Sequence, residues 1–406
     1  MATHVLIASH DVVGYRMAGP GIRYWELARV LSASCDVTLA VPWRSDLRAD
    51  EFAVRTYRPG DWDSLQDLAR QADVIMPCGF VLHQFLQLTR LGRPIVIDGY
   101  DPYPAESVSL VVDRTPKEQT IYQRGLIENL HRECQAGDFF LCASEQQRLW
   151  WLGMLAATGR LNPWTFGADA TLRTLVDVVP FGCPSEPPLP TGPVLKGVHP
   201  GIGPHDRVVL WGGGIWEWLD PLTLLRAVAR VVARRPEVKL LFPGTRHPND
   251  VVPDMPMRHR AVELAGELGL AGRHVFFGDW VPRPDWPNYL LEADVGVCLH
   301  FDSLETELAF RSRVLDYVWA GLPVLVTRGG ATAELVSGYD LGLVVDYQNT
   351  EEVAAALVRL LDEPRNARRD RFAAARAALC WERAAGPLVR FCRSPYRAAD
   401  HPIPWV

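Results

Sequence analysis

Apolar residues in this chain come in short runs of four or five, each followed by a loop and then by a stretch with helical spacing. The run at 5–9 is almost wholly apolar, which suits a parallel strand covered on both faces. The loop HDVVGYRMAGPG follows it. Next comes IRYWELARVLSAS, in which Ile22, Trp25, Leu27, Ala28 and Leu31 share one face of a helix. A second strand is predicted at 37–41, so the chain opens as a βαβ unit. Further strands are predicted at 74–76, 95–98, 139–143 and 175–179, with helical stretches between them. That alternation predicts an α/β fold with a mostly parallel sheet and helices on both faces.

The pattern then breaks. Residues 180–204 read PFGCPSEPPLPTGPVLKGVHPGIGP. Proline at this density continues neither a helix nor a central strand. Past it the alternation restarts, with a strand at 208–211, a loop at 212–214 and a helix at 222–234. More strands are predicted at 239–243, 274–277, 295–299, 323–327 and 342–345. The expected organisation is a Rossmann-like domain over 1–183, a linker over 184–205 and a second Rossmann-like domain over 206–385. With 406 residues the chain is long for one core and comfortable for two.

Charge narrows the class. A net charge of −6 argues against a face built for nucleic acid. Lysine is confined to Lys117, Lys196 and Lys239, so arginine carries nearly all the positive charge. The eight cysteines are scattered, with no CxxC and no metal-ligand spacing, and are expected to be reduced and buried. The start, MATHVLIASHDVV, has no basic stretch and only a short apolar run, so no leader is expected. No segment reaches the ~18 apolar residues of a membrane span. A cytoplasmic enzyme is the expectation. The apolar segment RLWWLGM at 148–154 reads as a core helix, an acceptor wall or a helix touching a membrane surface.

Several places could carry chemistry. Gly212, Gly213 and Gly214 follow a strand, and Asp220 and Pro221 mark the N-cap and first position of a helix. Glycines let a backbone approach a phosphate closely, and a helix N-terminus attracts it. The alternative is a tight turn with no ligand. Gly19-Pro20-Gly21 ahead of a helix at Ile22 is a weaker form of the same device, with Arg23 just inside that helix. Asp98 and Asp101 lie directly after a strand, where open α/β sheets bind ligands. Either could orient an acceptor hydroxyl or take its proton; either could equally cap a turn. His10 and His247 are single loop histidines, read as hydrogen bonders. No metal is expected.

One stretch is more specific. From Phe276 to Val336 the chain shows, in order, FFGDWV, an ADV strand entry, an acidic loop with Glu305 and Glu307, a helix carrying Asp316, AGLPV at 320–324 and GGxxxE at 329–334. This order resembles the nucleotide-sugar half of GT-B glycosyltransferases, especially the retaining family 4 enzymes. The resemblance implies two Rossmann-like domains with the ligand cleft between them, and a terminal segment at 386–406 that returns to the first domain. It implies that Asp316 meets the ribose hydroxyls and that Glu307, or Glu305, meets the donor sugar. It also implies that the backbone at Trp280 and Val281 reads the nucleobase, and that Gly19 and Gly21 face the donor phosphates. The family's Arg and Lys in the first glycine loop have no counterpart between Trp211 and Arg226. Arg311 and Arg313, placed in the first turn of a helix over 310–320, are the substitutes by position.

The function so implied is transfer of a sugar from a nucleotide diphosphate sugar to an acceptor hydroxyl, with retention. No cofactor is implied beyond that co-substrate. The acceptor is a small molecule, a glycan or a lipid-linked molecule, the last with peripheral membrane contact. A sugar-nucleotide epimerase and an inactive nucleotide-sugar-binding protein are the rivals.

Overall fold

The computed structural model describes residues 2–402. The chain divides into two compact units. The first runs to Phe181 and resumes at Trp381; the second spans Gly182–Cys380.

Seven parallel strands form the first unit: β1 (His4–Ala8), β2 (Asp36–Pro42), β3 (Ala53–Tyr57), β4 (Val74–Pro77), β5 (Val96–Asp98), β6 (Phe139–Cys142) and β7 (Val176–Val178). They lie in the order β3-β2-β1-β4 and β5-β6-β7, and a parallel bridge between Ile75 and Ile95 connects the two sets. All four residues of β4 and of β6 are buried, as uniformly apolar runs require. β3 escaped the sequence reading because it is an edge strand. Arg55 and Thr56 are exposed, so it carries no apolar run.

The helix Glu145–Ala157 contains the tryptophan pair. Trp151 is fully buried and donates its indole N–H to the Gly99 carbonyl at 2.9 Å. A Cβ at Gly99 would stand 2.1 Å from the indole, so only glycine allows this contact. Leu149 on the same helix is 68% exposed.

The second unit is one six-stranded parallel sheet of β8 (Arg207–Leu210), β9 (Val238–Phe242), β10 (Val275–Phe277), β11 (Val295–Cys298), β12 (Val324–Thr327) and β13 (Gly342–Val345). Its order is β10-β9-β8-β11-β12-β13. Chain order reverses between β8 and β11, and the carboxyl ends of two such strands frame the ligand crevice of a doubly wound sheet. The helix Pro221–Val232 starts where expected: Asp220 caps it, accepting the Thr223 N–H at 2.9 Å.

Two boundaries differ from the sequence reading. The proline-rich stretch 184–205 is not a separate linker. The Asn288 side chain accepts the Thr191 N–H at 2.8 Å, and the Glu292 carboxylate accepts the N–H groups of Val194, Leu195 and Lys196 at 2.6, 3.1 and 2.7 Å. Proline prevents regular structure there, and side chains of the second unit satisfy the backbone instead. The return to the first unit comes at Trp381, not 386. Phe391 stacks on Phe139 at 4.8 Å within that unit. Residues 403–406 of the expected terminal segment lie outside the described residues.

Candidate functional site

The second unit carries most of the candidates, several of them past the carboxyl ends of β8 and β11. Gly212, Gly213 and Gly214 leave β8. They are not at a helix N-terminus: six residues separate Gly213 from Asp220, the cap of the next helix. The Gly212 N–H already donates to the Tyr317 hydroxyl at 2.7 Å, so it is not offered to a ligand. Gly213 has φ +81°, a left-handed conformation that glycine takes without cost.

What faces this loop is Arg313. Its Nη2 donates to the Gly214 carbonyl at 3.0 Å, and its guanidinium lies 5.2 Å over the Trp211 ring. Its Nη1 is buried without a hydrogen-bond partner. Burial pushes the guanidinium pKa down from its ordinary value. A buried donor left unmade is costly, and an anion in the crevice would satisfy both the hydrogen bond and the charge.

Arg311 does not share this role. The helix begins at Ser312, with Arg311 at the cap position, two residues later than the sequence suggested. Its Nη1 and Nη2 each donate to an oxygen of Glu305 at 2.6 Å, and both side chains are buried. Arg311 and Glu305 are occupied by each other. Sequence alone could not reveal this, because the pair closes across a short helix, Leu304–Leu308.

Glu307 is exposed on that same short helix and lies beside the Tyr347 phenol. A Cβ at Gly329 would stand 2.9 Å from its carboxylate oxygen. Asp316 accepts the Trp286 indole N–H at 2.8 Å and an Arg283 N–H at 3.3 Å. It is half-buried and held in place, and it is not a solvated surface charge.

Trp280 packs on Gly244, where a Cβ would approach its ring to 3.0 Å. It belongs to an aromatic wall: His247 lies 5.6 Å from Trp280 and 5.7 Å from Trp216, and Trp216 stacks on Trp218 at 5.2 Å. Val281 is half-buried beside it.

In the first unit, Asp98 is not available as a base. Its two oxygens accept Nε and Nη2 of Arg23, both at 2.7 Å, and both side chains are fully buried. Asp101 is half-buried in the loop that follows. Gly19 and Gly21 are in the first turn of the helix Gly19–Ser32, not in a loop ahead of it. A Cβ at Gly21 would stand 2.3 Å from the Val12 carbonyl, so that glycine serves a close backbone approach.

Sequence reasoning missed Tyr317, Thr327, Trp286, Arg283 and His300. Tyr317 looked like apolar packing beside Asp316. His300 had a usable signal: it stands at the end of an apolar run, two residues past the end of β11. Among the described residues no group of three His, Cys, Asp or Glu side chains is placed to hold a metal, and no helix is long and apolar enough to cross a membrane. All eight cysteines are free and buried.

Residues 206–363 match the family described as glycosyl transferases group 1. The D-inositol 3-phosphate glycosyltransferase of Rhodococcus jostii (strain RHA1) is 30% identical over 167 residues, covering 40% of this chain and 34% of the relative. The chain thus matches about a third of the length of such curated relatives. Among solved structures, sucrose-phosphate synthase from Thermosynechococcus elongatus superposes with TM-score 0.66 at 16% identity, covering 96% of this chain and 98% of that one. Anabaena HepE in complex with UDP-glucose superposes with TM-score 0.59 at 14% identity, covering 96% and 97%. The fold is GT-B.

Proposed function

Because residues 206–363 carry a glycosyl transferases group 1 domain on a GT-B fold, we propose that this chain is a glycosyltransferase. It takes a sugar from a nucleotide diphosphate sugar and places it on an acceptor hydroxyl, with retention at the anomeric carbon. The observation that carries this reading is the buried, unpaired Nη1 of Arg313 beside the Gly212–Gly214 loop, at the crevice between β8 and β11. That group awaits an anion.

In the reaction, the bond from the anomeric carbon to the diphosphate oxygen breaks and its electron pair leaves with the diphosphate. Arg313 meets the charge that develops there. The acceptor oxygen forms the new bond, and its proton passes to the departing phosphate. No protein base is then required, which agrees with Asp98 being locked to Arg23. No metal or other cofactor belongs to this reading. The acceptor is a small molecule, a glycan or a lipid-linked molecule, and the reaction takes place in the cytoplasm.

The test is thermal stabilisation by UDP-glucose and GDP-mannose, followed by assay of nucleoside diphosphate release with and without candidate acceptors. A ligand at ~100 times its Kd adds about 2.7 kcal/mol. Acceptor-dependent release supports transfer. Conversion of the donor alone would mark an epimerase, and binding with no turnover an inactive binding protein.

A further inference from the structure

His300 is a further polar group at the β8–β11 switch point. It lies two residues past the end of β11, while the Gly212–Gly214 loop follows β8 on the other side of the switch point. The residue is 1% exposed. Its surroundings favour one tautomer. The His300 backbone N–H donates to the Thr327 hydroxyl at 3.0 Å. That hydroxyl has one proton of its own to place. The imidazole Nδ1 stands 2.8 Å away and the His300 carbonyl 3.5 Å, so we assign the proton to Nδ1, the nearer acceptor. With Nδ1 accepting, Nε2 carries the ring hydrogen. Among the described residues Nε2 has no hydrogen-bond partner.

Resting on the function proposed above, we infer that His300 is a donor-sugar-binding residue, giving its Nε2–H to a hydroxyl of the transferred sugar. Three features favour a hydroxyl over a phosphate oxygen. The ring is neutral, since burial and the charges of Arg311 and Arg313 push its pKa well below the usual value. Arg313 already supplies the unpaired cationic donor for a phosphate. His300 also heads the loop that carries Glu305 and Glu307. A neutral donor discriminates well, because a hydroxyl it cannot reach leaves a buried N–H unpaired.

The experiment measures affinities of wild type, His300→Phe, Thr327→Val and Thr327→Ser for UDP-glucose and GDP-mannose, each beside UDP and GDP. Expected is a loss of about tenfold or more in nucleotide-sugar affinity for His300→Phe, with unchanged affinity for the matching nucleoside diphosphate. Intact diphosphate binding also shows that the variant is folded. Thr327→Val frees the tautomer and should give a smaller loss of the same kind, and Thr327→Ser should restore affinity. Equal losses for the sugar and the bare diphosphate would place His300 on the phosphate and overturn the assignment. Unchanged sugar affinity in His300→Phe would overturn it as well. If wild type binds none of the four nucleotides, the underlying reading of a nucleotide-sugar enzyme fails first.

Discussion

Glu305 and Arg311 face each other fork to fork, with both nitrogen–oxygen distances at 2.6 Å and both side chains buried. This one relationship reassigns two residues that sequence order placed on the donor. It leaves Arg313, whose buried Nη1 has no hydrogen-bond partner, as the cation beside the Gly212–Gly214 loop. The bidentate geometry fixes how the 302–310 segment turns into the Ser312–Ala320 helix, since the pair spans that turn.

Removing one member of this pair strands the other in a buried site. Arg311→Ala or Glu305→Ala should each lower stability by about 3–5 kcal/mol, the range for a broken buried pair. A double replacement by Met and Leu should recover most of the loss. Urea denaturation of the single and double variants checks this. An Arg311→Ala protein that keeps wild-type stability and loses only turnover would show instead that Arg311 serves the donor.

Arg313→Ala should behave in the opposite way. Its guanidinium makes one hydrogen bond to Gly214 and leaves another unmade, so its removal should cost little stability. Turnover should fall by about a hundredfold or more, as when one preorganised donor is lost. Steady-state kinetics in the presence and absence of chelator give both readouts. Rates that survive the mutation, or that chelator abolishes reversibly, would remove Arg313 from leaving-group stabilisation.

Asp316 is held by Trp286 and Arg283, so its carboxylate points in a fixed direction while remaining half-buried. Asp316→Ala should weaken nucleoside diphosphate binding by about tenfold, or ~1.4 kcal/mol, with Asp316→Asn intermediate. Calorimetric titration with UDP and GDP measures it. A fall in melting temperature with unchanged affinity would make the carboxylate a structural strut for the 283–286 turn.

Most of the fold is legible in the sequence because parallel strands buried on both faces write uninterrupted apolar runs, as at β4 and β6. Edge strand β3 writes none. The capped start at Asp220 was equally plain, since Asp-Pro has a local meaning. Pairings were not legible. Nothing in the order of residues says that Asp98 closes on Arg23, 75 positions away, or that the Tyr317 hydroxyl takes the Gly212 N–H across 105. Those contacts arise from strand order, and they decide which charged groups are left for a ligand. Motif order therefore gathered the candidates, while the pairing of Arg311 with Glu305 needed coordinates.

A buried acid in the first unit gives a pH signature independent of the crevice. Glu133, on the helix Pro116–Ala136, is 3% exposed. It accepts the Tyr103 hydroxyl at 2.7 Å and an Asn129 amide N–H at 3.0 Å, while the Asn129 Oδ1 is buried without a partner. Burial pushes the Glu133 carboxyl up from 4.5 to about 7. The folded state thus holds this proton more tightly than the unfolded state. Its contribution to stability is fully present below about pH 4.5, declines as pH rises and is lost above about 7. At 1.36 kcal/mol per pKa unit the swing is on the order of 3 kcal/mol. Glu133→Gln should abolish it. The glutamine oxygen can accept from Tyr103, and its NH2 can donate to the orphaned Asn129 oxygen once that amide turns over. The variant should match wild type near pH 4.5 and exceed it by a margin that grows up to about pH 7 and is constant beyond. Denaturant midpoints across pH 4–9 measure the margin. A constant difference over that range would mean that Glu133 stays ionised in the folded protein.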